Sequence, residues 1–214
     1  EGYYTHRSGF IFAGTNNSIM RRNYVNSRGY QDIIPGGYPS INTTRGDQDL
    51  LVYPGNDNIL ENNISEGSET AFVAQSVGTS TADRNQFLGN IAISAIAGFA
   101  TAVSGNGTVM PVDNVFRNNV SVNAVNFGFS IGTSRTTLIE SFTSFNSGNS
   151  NFLANKTATA PPAPYSFTAR NVLLENNGNG TGLNVDTTDF TTWLVDYINS
   201  FNHVTNYNPS SSAS

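Results

Sequence analysis

A short string recurs along this chain: two apolar residues, one variable residue, then a pair of asparagines or a near relative. It stands in its plainest form as Ile59-Leu60-Glu61-Asn62-Asn63 and returns as Val115-Phe116-Arg117-Asn118-Asn119 and Leu173-Leu174-Glu175-Asn176-Asn177. Looser copies begin at Ile19, Phe87, Leu138 and Leu194. Self-similarity on this scale marks stacked supersecondary units, each of which needs its neighbours to bury an apolar side. The repeat therefore speaks to architecture first and to chemistry only afterwards.

Aligned on their first apolar residue, the seven copies are spaced by 40, 28, 28, 23, 35 and 21 residues. The shortest steps suggest a unit of 21 to 23 residues, and the longer ones carry insertions. A second motif precedes most copies: a small or polar residue, an aromatic, then alternating apolar positions. It reads Gly9-Phe10-Ile11-Phe12, Ala71-Phe72-Val73, Gly98-Phe99-Ala100, Gly128-Phe129-Ser130-Ile131, Asn151-Phe152-Leu153 and Gly182-Leu183-Asn184-Val185. Asp49-Leu50-Leu51-Val52-Tyr53 takes its place in the second copy. Segments this short, rich in Val, Ile, Phe and Thr and bounded by Gly, Asn and Pro, read as strands, and no helical period persists.

The columns of the alignment agree. One position past the anchor stand Met20, Leu60, Leu88, Phe116, Ile139, Leu174 and Val195, all apolar, which predicts an inward stack. The next position holds Arg21, Glu61, Gly89, Arg117, Glu140, Glu175 and Asp196, charged in six of seven copies and so expected to face solvent. A switch from apolar to charged in one step is the period-two signature of a strand. The asparagines follow at a bend, where the side chain tolerates left-handed backbone angles. Stacked from coil to coil, Asn62, Asn90, Asn118 and Asn176 are expected to form an amide ladder.

These features resemble a right-handed parallel β-helix of the pectin-lyase-like superfamily, over nearly the whole chain from about Gly9 to Asn202. The expected fold is all-β: a single-stranded β-solenoid of about seven coils with loop insertions, spanning residues 1–205, with a Ser-rich tail at 206–214. The irregular unit length argues against left-handed hexapeptide helices, and the Gly-Gly-x-Gly-x-Asp signature of calcium-binding nonapeptide solenoids is missing. The resemblance implies a range of activities, since the superfamily holds polysaccharide lyases and hydrolases, phage tailspikes, autotransporter passengers and surface adhesins. Its lyases pair clustered carboxylates for calcium with a Lys or Arg base. The galacturonase pattern of paired aspartates with Gly-His-Gly and Arg-x-Lys, and the pectate-lyase catalytic strings, do not occur.

Composition narrows the classes further. The chain has 214 residues, enough for one domain with a sizeable core, and 37% of them are apolar against 12% charged. Fourteen Phe and nine Tyr supply an ordered core, which sets it apart from disordered polar chains. Net charge is −5 and Lys156 is the only lysine, so the clustered basic footprint of a nucleic-acid binder is lacking. No apolar run approaches the length of a membrane-spanning helix. Zero Cys removes disulfides and thiolate chemistry. The start at Glu1 suggests a mature or trimmed fragment of a longer chain, and the open solenoid ends suggest a homo-oligomer or end-to-end assembly. Seven Asn-x-Ser/Thr sequons mean little in a chain so rich in these residues.

Function in a solenoid sits on insertions. Here these fall at 29–48, 105–113 and 155–165. Arg84, Arg135 and Arg170 each precede an anchor by three residues, and Arg135 with Arg170 would form a carboxylate-binding clamp, aided by Lys156 and by Tyr38 as a sugar-stacking ring. The competing reading is a solvated edge balanced by Glu140 and Glu175. Asp47, Asp49 and Asp57 are hard oxygen donors suited to Ca2+, although turn chemistry alone accounts for Asp57 between two asparagines. No cofactor is required. His6 and His203 lie at opposite ends of the chain, and Arg45-Gly46-Asp47 spells an integrin-type tripeptide that chance also produces. The resulting expectation is an extracellular or cell-surface β-helix that binds a polysaccharide or surface glycan without an evident catalytic constellation. A diverged polysaccharide lyase or glycoside hydrolase, or a filament subunit, are the alternatives.

Overall fold

The computed structural model describes residues 2–3, 8–27, 48–104, 107–155, 164–176, 178, 180–187 and 190–209. All regular elements among them are β-strands, and every strand-to-strand pairing is parallel. The chain is a parallel β-solenoid. Each coil lays one strand on each of three faces. The first coil uses Ser8–Phe12, Ile19–Arg21 and Tyr24–Asn26, and the second Gln48–Val52, Ile59–Glu61 and Ile64–Glu66. The third uses Thr70–Val77, Gln86–Leu88 and Ile91–Ile93; the fourth Ala97–Ser104, Val115–Arg117 and Val120–Val122; the fifth Phe127–Ile131, Thr137–Glu140 and Thr143–Phe145.

Beyond these five three-strand coils the pattern changes. The second and third strands fuse into Tyr165–Glu175 and again into Phe190–Phe201, which follow Ser150–Ala154 and Thr181–Val185 on the first face. Gly2–Tyr3 and Thr205–Pro209 add one strand at either end. The expectation of about seven coils thus resolves into five regular coils and two simplified ones.

Corners between faces are made by single residues in the left-handed region. Asn17, Asp57, Arg84, Asp113 and Thr136 hold φ of 51–59° at the first corner, and Arg22, Asn62, Asn118, Ser141, Asn171 and Tyr197 hold 53–57° at the second. Asn and Asp tolerate this region best, which is why the repeat is so rich in Asn. The residue after each corner turns inward, and there the buried amides stack. At the second corner Asn63 Nδ2 donates to Asn90 Oδ1 at 3.0 Å, and Asn90 Nδ2 to Asn119 Oδ1 at 3.2 Å. At the first, Asn58 Nδ2 donates to Asn85 Oδ1 at 3.1 Å and Asn85 Nδ2 to Asn114 Oδ1 at 3.2 Å. Each rung also accepts the backbone N–H of its neighbour, as Asn119 Oδ1 does from Asn90 N at 2.8 Å.

This corrects the expected ladder of Asn62, Asn90, Asn118 and Asn176. Only Asn90 belongs to one. Asn62 and Asn118 hold the corner angle and face solvent, whereas Asn63 and Asn119 behind them are fully buried. Asn176 lies at the third corner, where its Nδ2 donates to Ser147 O at 2.6 Å.

Two anchors also move. Ile59 pairs with Gln86, and Gln86 with Val115, so the third copy begins one residue earlier than Phe87. Leu138 pairs with Thr168, while Leu173 pairs with Thr143 on the third face. Coil steps are accordingly 40, 27 and 29 residues by the ladder bonds, then 23 by the register of Val115 on Leu138. The inward column becomes Met20, Leu60, Phe87, Phe116, Ile139, Ala169 and Val195, with Leu88 and Leu174 removed from it. The outward column becomes Arg21, Glu61, Leu88, Arg117, Glu140, Arg170 and Asp196, in which neighbouring charges alternate in sign.

The second motif holds its register throughout. Phe10, Leu50, Phe72, Phe99, Phe129, Phe152 and Leu183 are successive partners along the first face. Their rings stack, with centroids 4.9 Å apart for Phe72–Phe99 and 5.5 Å for Phe129–Phe152. Phe87 and Phe116 stack at 4.4 Å from the second face, and Phe116 meets Phe129 edge-on at 4.8 Å. Burial of this aromatic column supplies most of the drive to stack coils. At Gly98 and Gly128 the residue before the Phe is held to glycine by the opposite wall and the next rung: a Cβ on Gly128 would lie 1.9 Å from Ser144 Oγ and 2.6 Å from Asn151 O.

Candidate functional site

A shallow cleft of about 350 Å3 opens at the first corner, across the first three coils. The first coil contributes Gly14 and Asn16, and the second Pro54, Gly55 and Asn56. The third closes it with Thr79, Ser80 and Thr81, which turn back at the end of the long strand Thr70–Val77. The turn tip is held by reciprocal backbone bonds between Val77 and Ser80, both 2.9 Å. Strand rungs are about 4.8 Å apart, so three rungs give a cleft roughly 10 Å long.

Its floor is fixed from two sides. Gly55 is buried, and a Cβ there would lie 2.4 Å from Thr15 O, so only glycine lets the first two corners approach this closely. Its N–H donates to Thr81 O at 3.1 Å, which ties the second coil to the third. From within, Asn58 Nδ2 donates to Thr15 O at 2.9 Å and Asn85 Nδ2 to Gly55 O at 2.8 Å.

The lining side chains are polar and uncharged. Asn56 N donates to Asn16 Oδ1 at 2.8 Å, and Asp83 N donates to Asn56 Oδ1 at 2.7 Å, with Thr81 Oγ1 also reaching Asn56 Oδ1 at 3.4 Å. Both carboxamide oxygens are therefore occupied, which orients the amides. Their Nδ2 groups, and the hydroxyls of Thr79 and Ser80, have no hydrogen-bond partner among the described residues and remain available to a ligand.

Next to the cleft, Arg84 donates to both carboxylate oxygens of Asp57, from Nε and Nη2, each at 2.8 Å. These bonds hold the Asp57 carboxyl below the ordinary carboxylate range and the Arg84 guanidinium above its own. Asp83 Oδ1 accepts from Val112 N at 2.8 Å, and Asp113 accepts from the Thr136 hydroxyl.

The arginine clamp expected from the repeat is not brought together. Thr137 pairs with Phe167, which places Tyr165 opposite Arg135 at the corner; Arg170 lies further along, on the second face between Glu140 and Asp196. Arg135 is exposed, with its Nε 3.5 Å from Pro164 O. Glu140 bonds Arg117 instead, at 2.6 Å. Of the expected calcium ligands, Asp49 is buried and accepts from Ser27 Oγ at 2.7 Å and Ser65 Oγ at 2.6 Å, while Asp57 is the corner residue paired with Arg84. The two carboxylates thus serve different corners. Among the described residues no three His, Asp or Glu side chains converge on a metal position.

Asp47, Tyr38, Lys156, His6 and the Arg45-Gly46-Asp47 string lie outside the described residues, as do most of the insertions at 29–48 and 155–165. His203 is half-buried, its Nε2 3.1 Å from Asn151 Nδ2. The sequons at Asn63 and Asn119 are fully buried ladder rungs, so neither can carry a glycan in the folded chain. Among the described residues no helix is long and apolar enough to cross a membrane.

With Gln86 as the third anchor, the position three residues before each anchor reads Asn16, Asn56, Asp83, Val112 and Arg135, and only the first two of these line the cleft. The rest of its lining, Thr79 to Thr81, lies on a turn outside the repeat, and short polar residues at corners carry no sequence signal that separates a cleft from a bend. No family model matches the chain, and no curated protein matches it.

Proposed function

We propose that this chain is a glycan-binding β-solenoid, allied to the pectin-lyase-like β-helices, that holds a polysaccharide or surface glycan rather than cleaving it. The observation that supports the reading is the corner cleft. It joins three coils of a hydrogen-bonded scaffold, has a volume in the range of small-ligand sites, and offers free amide and hydroxyl groups without a competing ion pair inside it. Sugar hydroxyls both donate and accept, and such a lining meets them on both counts. An extracellular or cell-surface setting belongs to this reading, because that is where such polymers are met.

The test is a polysaccharide array probed with the whole chain, read in parallel for unsaturated products and for new reducing ends. Retention on at least one polymer with neither product is the expected result. Product formation would transfer the chain to the lyases or hydrolases, and absence of retention on every polymer would refute the proposal.

A further inference from the structure

We infer that the corner cleft takes an uncharged, polyhydroxylated saccharide and not a polyuronate; this rests on the glycan reading above and assigns its ligand class. The first argument is what lines the cleft. Asn16, Asn56, Thr79, Ser80 and Thr81 carry no charge, and no cation among the described residues lines the cleft with them. A uronate carboxylate bound there would have neutral donors only, without the bidentate guanidinium partner that neutralises its charge and makes carboxylate recognition strong.

The second argument is what surrounds it. Asp57, Asp83 and Asp113 occupy the same corner as Arg84, and Arg84 already has Nε and Nη2 on Asp57. Arg135 stands at this corner too, but two coils beyond the last coil of the cleft, while Arg117 is bonded to Glu140 and Arg170 is on the second face. With a net charge of −5 on the whole chain, a polyanion approaching this corner is repelled at long range as well.

The third argument is the balance of hydrogen-bonding groups. The occupied oxygens of Asn16 and Asn56 leave their amide N–H groups as donors, and the hydroxyls of Thr79 and Ser80 supply both donors and acceptors. A pattern of both kinds matches vicinal hydroxyls. A carboxylate, which only accepts, would leave the acceptor half unused. Because no ion pair forms or breaks on binding, affinity should be indifferent to salt.

Affinity electrophoresis of the full chain tests this, with gels containing galactomannan, xyloglucan or hydroxyethyl cellulose as neutral probes, and polygalacturonate or alginate as acidic ones. Retardation by at least one neutral polymer, unchanged between low and high salt, is expected, with none by the acidic pair. Thr79→Trp, which fills the cleft from an exposed position, should weaken that retardation at least tenfold, while Gln86→Trp on the exposed second face leaves it intact. Should Thr79→Trp lower the melting temperature, Ser80→Trp at the turn tip gives the same readout. Salt-sensitive retardation by the acidic polymers alone would overturn the ligand class while leaving glycan binding standing. Neutral retardation indifferent to both cleft variants would overturn the site. Retardation by no polymer would remove the underlying glycan reading too.

Discussion

Asn118 and Asn119 are adjacent, chemically identical and assigned opposite duties, so they provide a sharp test of how this solenoid is held. Asn119 is fully buried; its Oδ1 accepts from Asn90 N at 2.8 Å and its Nδ2 donates to Phe87 O at 2.8 Å. Asn119→Ala leaves a buried N–H and a buried C=O without partners, each worth about 1–3 kcal/mol, or about 4 kcal/mol together. Asn118 is exposed at φ 57°, where alanine is disfavoured by about 1 kcal/mol and glycine is tolerated. Asn118→Ala should therefore cost about 1 kcal/mol, and Asn118→Gly almost nothing. In urea titrations with a slope of about 3 kcal/mol/M, the midpoint should fall by about 1.3 M for Asn119→Ala and about 0.3 M for Asn118→Ala. Equal shifts, or a larger one at Asn118, would refute the assignment of ladder and corner.

Gly128→Ala drives a Cβ to 1.9 Å from Ser144 Oγ and 2.6 Å from Asn151 O and should cost about 2–3 kcal/mol; Ser144→Gly relieves only the side-chain clash, so the double variant should recover part of the loss, and full recovery would mean that the backbone contact sets no limit. Asp57→Asn should lower stability slightly at neutral pH and above, and the difference from the parent should close as pH falls into the acid limb. The folded-state carboxyl is depressed, so its contribution is present above the ordinary carboxylate range and lost as pH falls through the lowered value, and an exposed pair makes it small and salt-sensitive. A difference that appears only at acid pH, or that persists undiminished there, would contradict the pairing. Asn85→Ala and Phe142→Ala should each cost about 4 kcal/mol, the first by stranding Asn58 N and Gly55 O, the second by removing edge contacts to Phe99 and Phe129. Only Asn85→Ala should also weaken retention on polysaccharide gels, and parallel loss in both would break the link between ladder and cleft.

The two motifs were not equally legible, and the difference is physical. The aromatic motif gave the right register in every copy because its large apolar residue, Phe in five copies and Leu50 or Leu183 in the other two, packs into the core of the first face each time. The asparagine motif slipped in two copies. In Gln86-Phe87-Leu88 the outward first residue is polar, so anchoring on the first apolar residue moved the frame by one. In Leu173-Leu174-Glu175 the string imitates the second face but occupies the third. Both faces use three residues with the middle one inward, followed by a left-handed corner, so the local pattern is the same for each. The cleft was illegible for another reason: Asn16 and Asn56 look like ordinary corner residues, and Thr79 to Thr81 sit on a turn that the repeat does not include.

The inward positions after the corners change character along the axis. At the first corner Asn58, Asn85 and Asn114 give way to Thr137, Phe167 and Trp193; at the second, Asn63, Asn90 and Asn119 give way to Phe142, Val172 and Ile198. Phe167 and Trp193 stack at 6.2 Å where the amide ladder would have continued. Apolar packing holds neighbouring coils together but tolerates small shifts of the backbone, whereas an amide rung fixes one N–H and one C=O at bonded distance and so sets the corner's position. The amide rungs hold the corner segments that form the cleft: Asn58, Asn85 and Asn114 donate to Thr15 O, Gly55 O and Ala82 O, each immediately before Asn16, Asn56 and Asp83. A binding surface built from short polar side chains needs its backbone held to within a hydrogen-bond tolerance, because such side chains cannot reach to compensate. At the first corner the buried polar ladder, costly to desolvate where phenylalanine would pack as well, meets that demand; its counterpart Asn63, Asn90 and Asn119 at the second corner holds the same coils in register from the other side, so the coils that form the cleft are fixed at both of their amide corners.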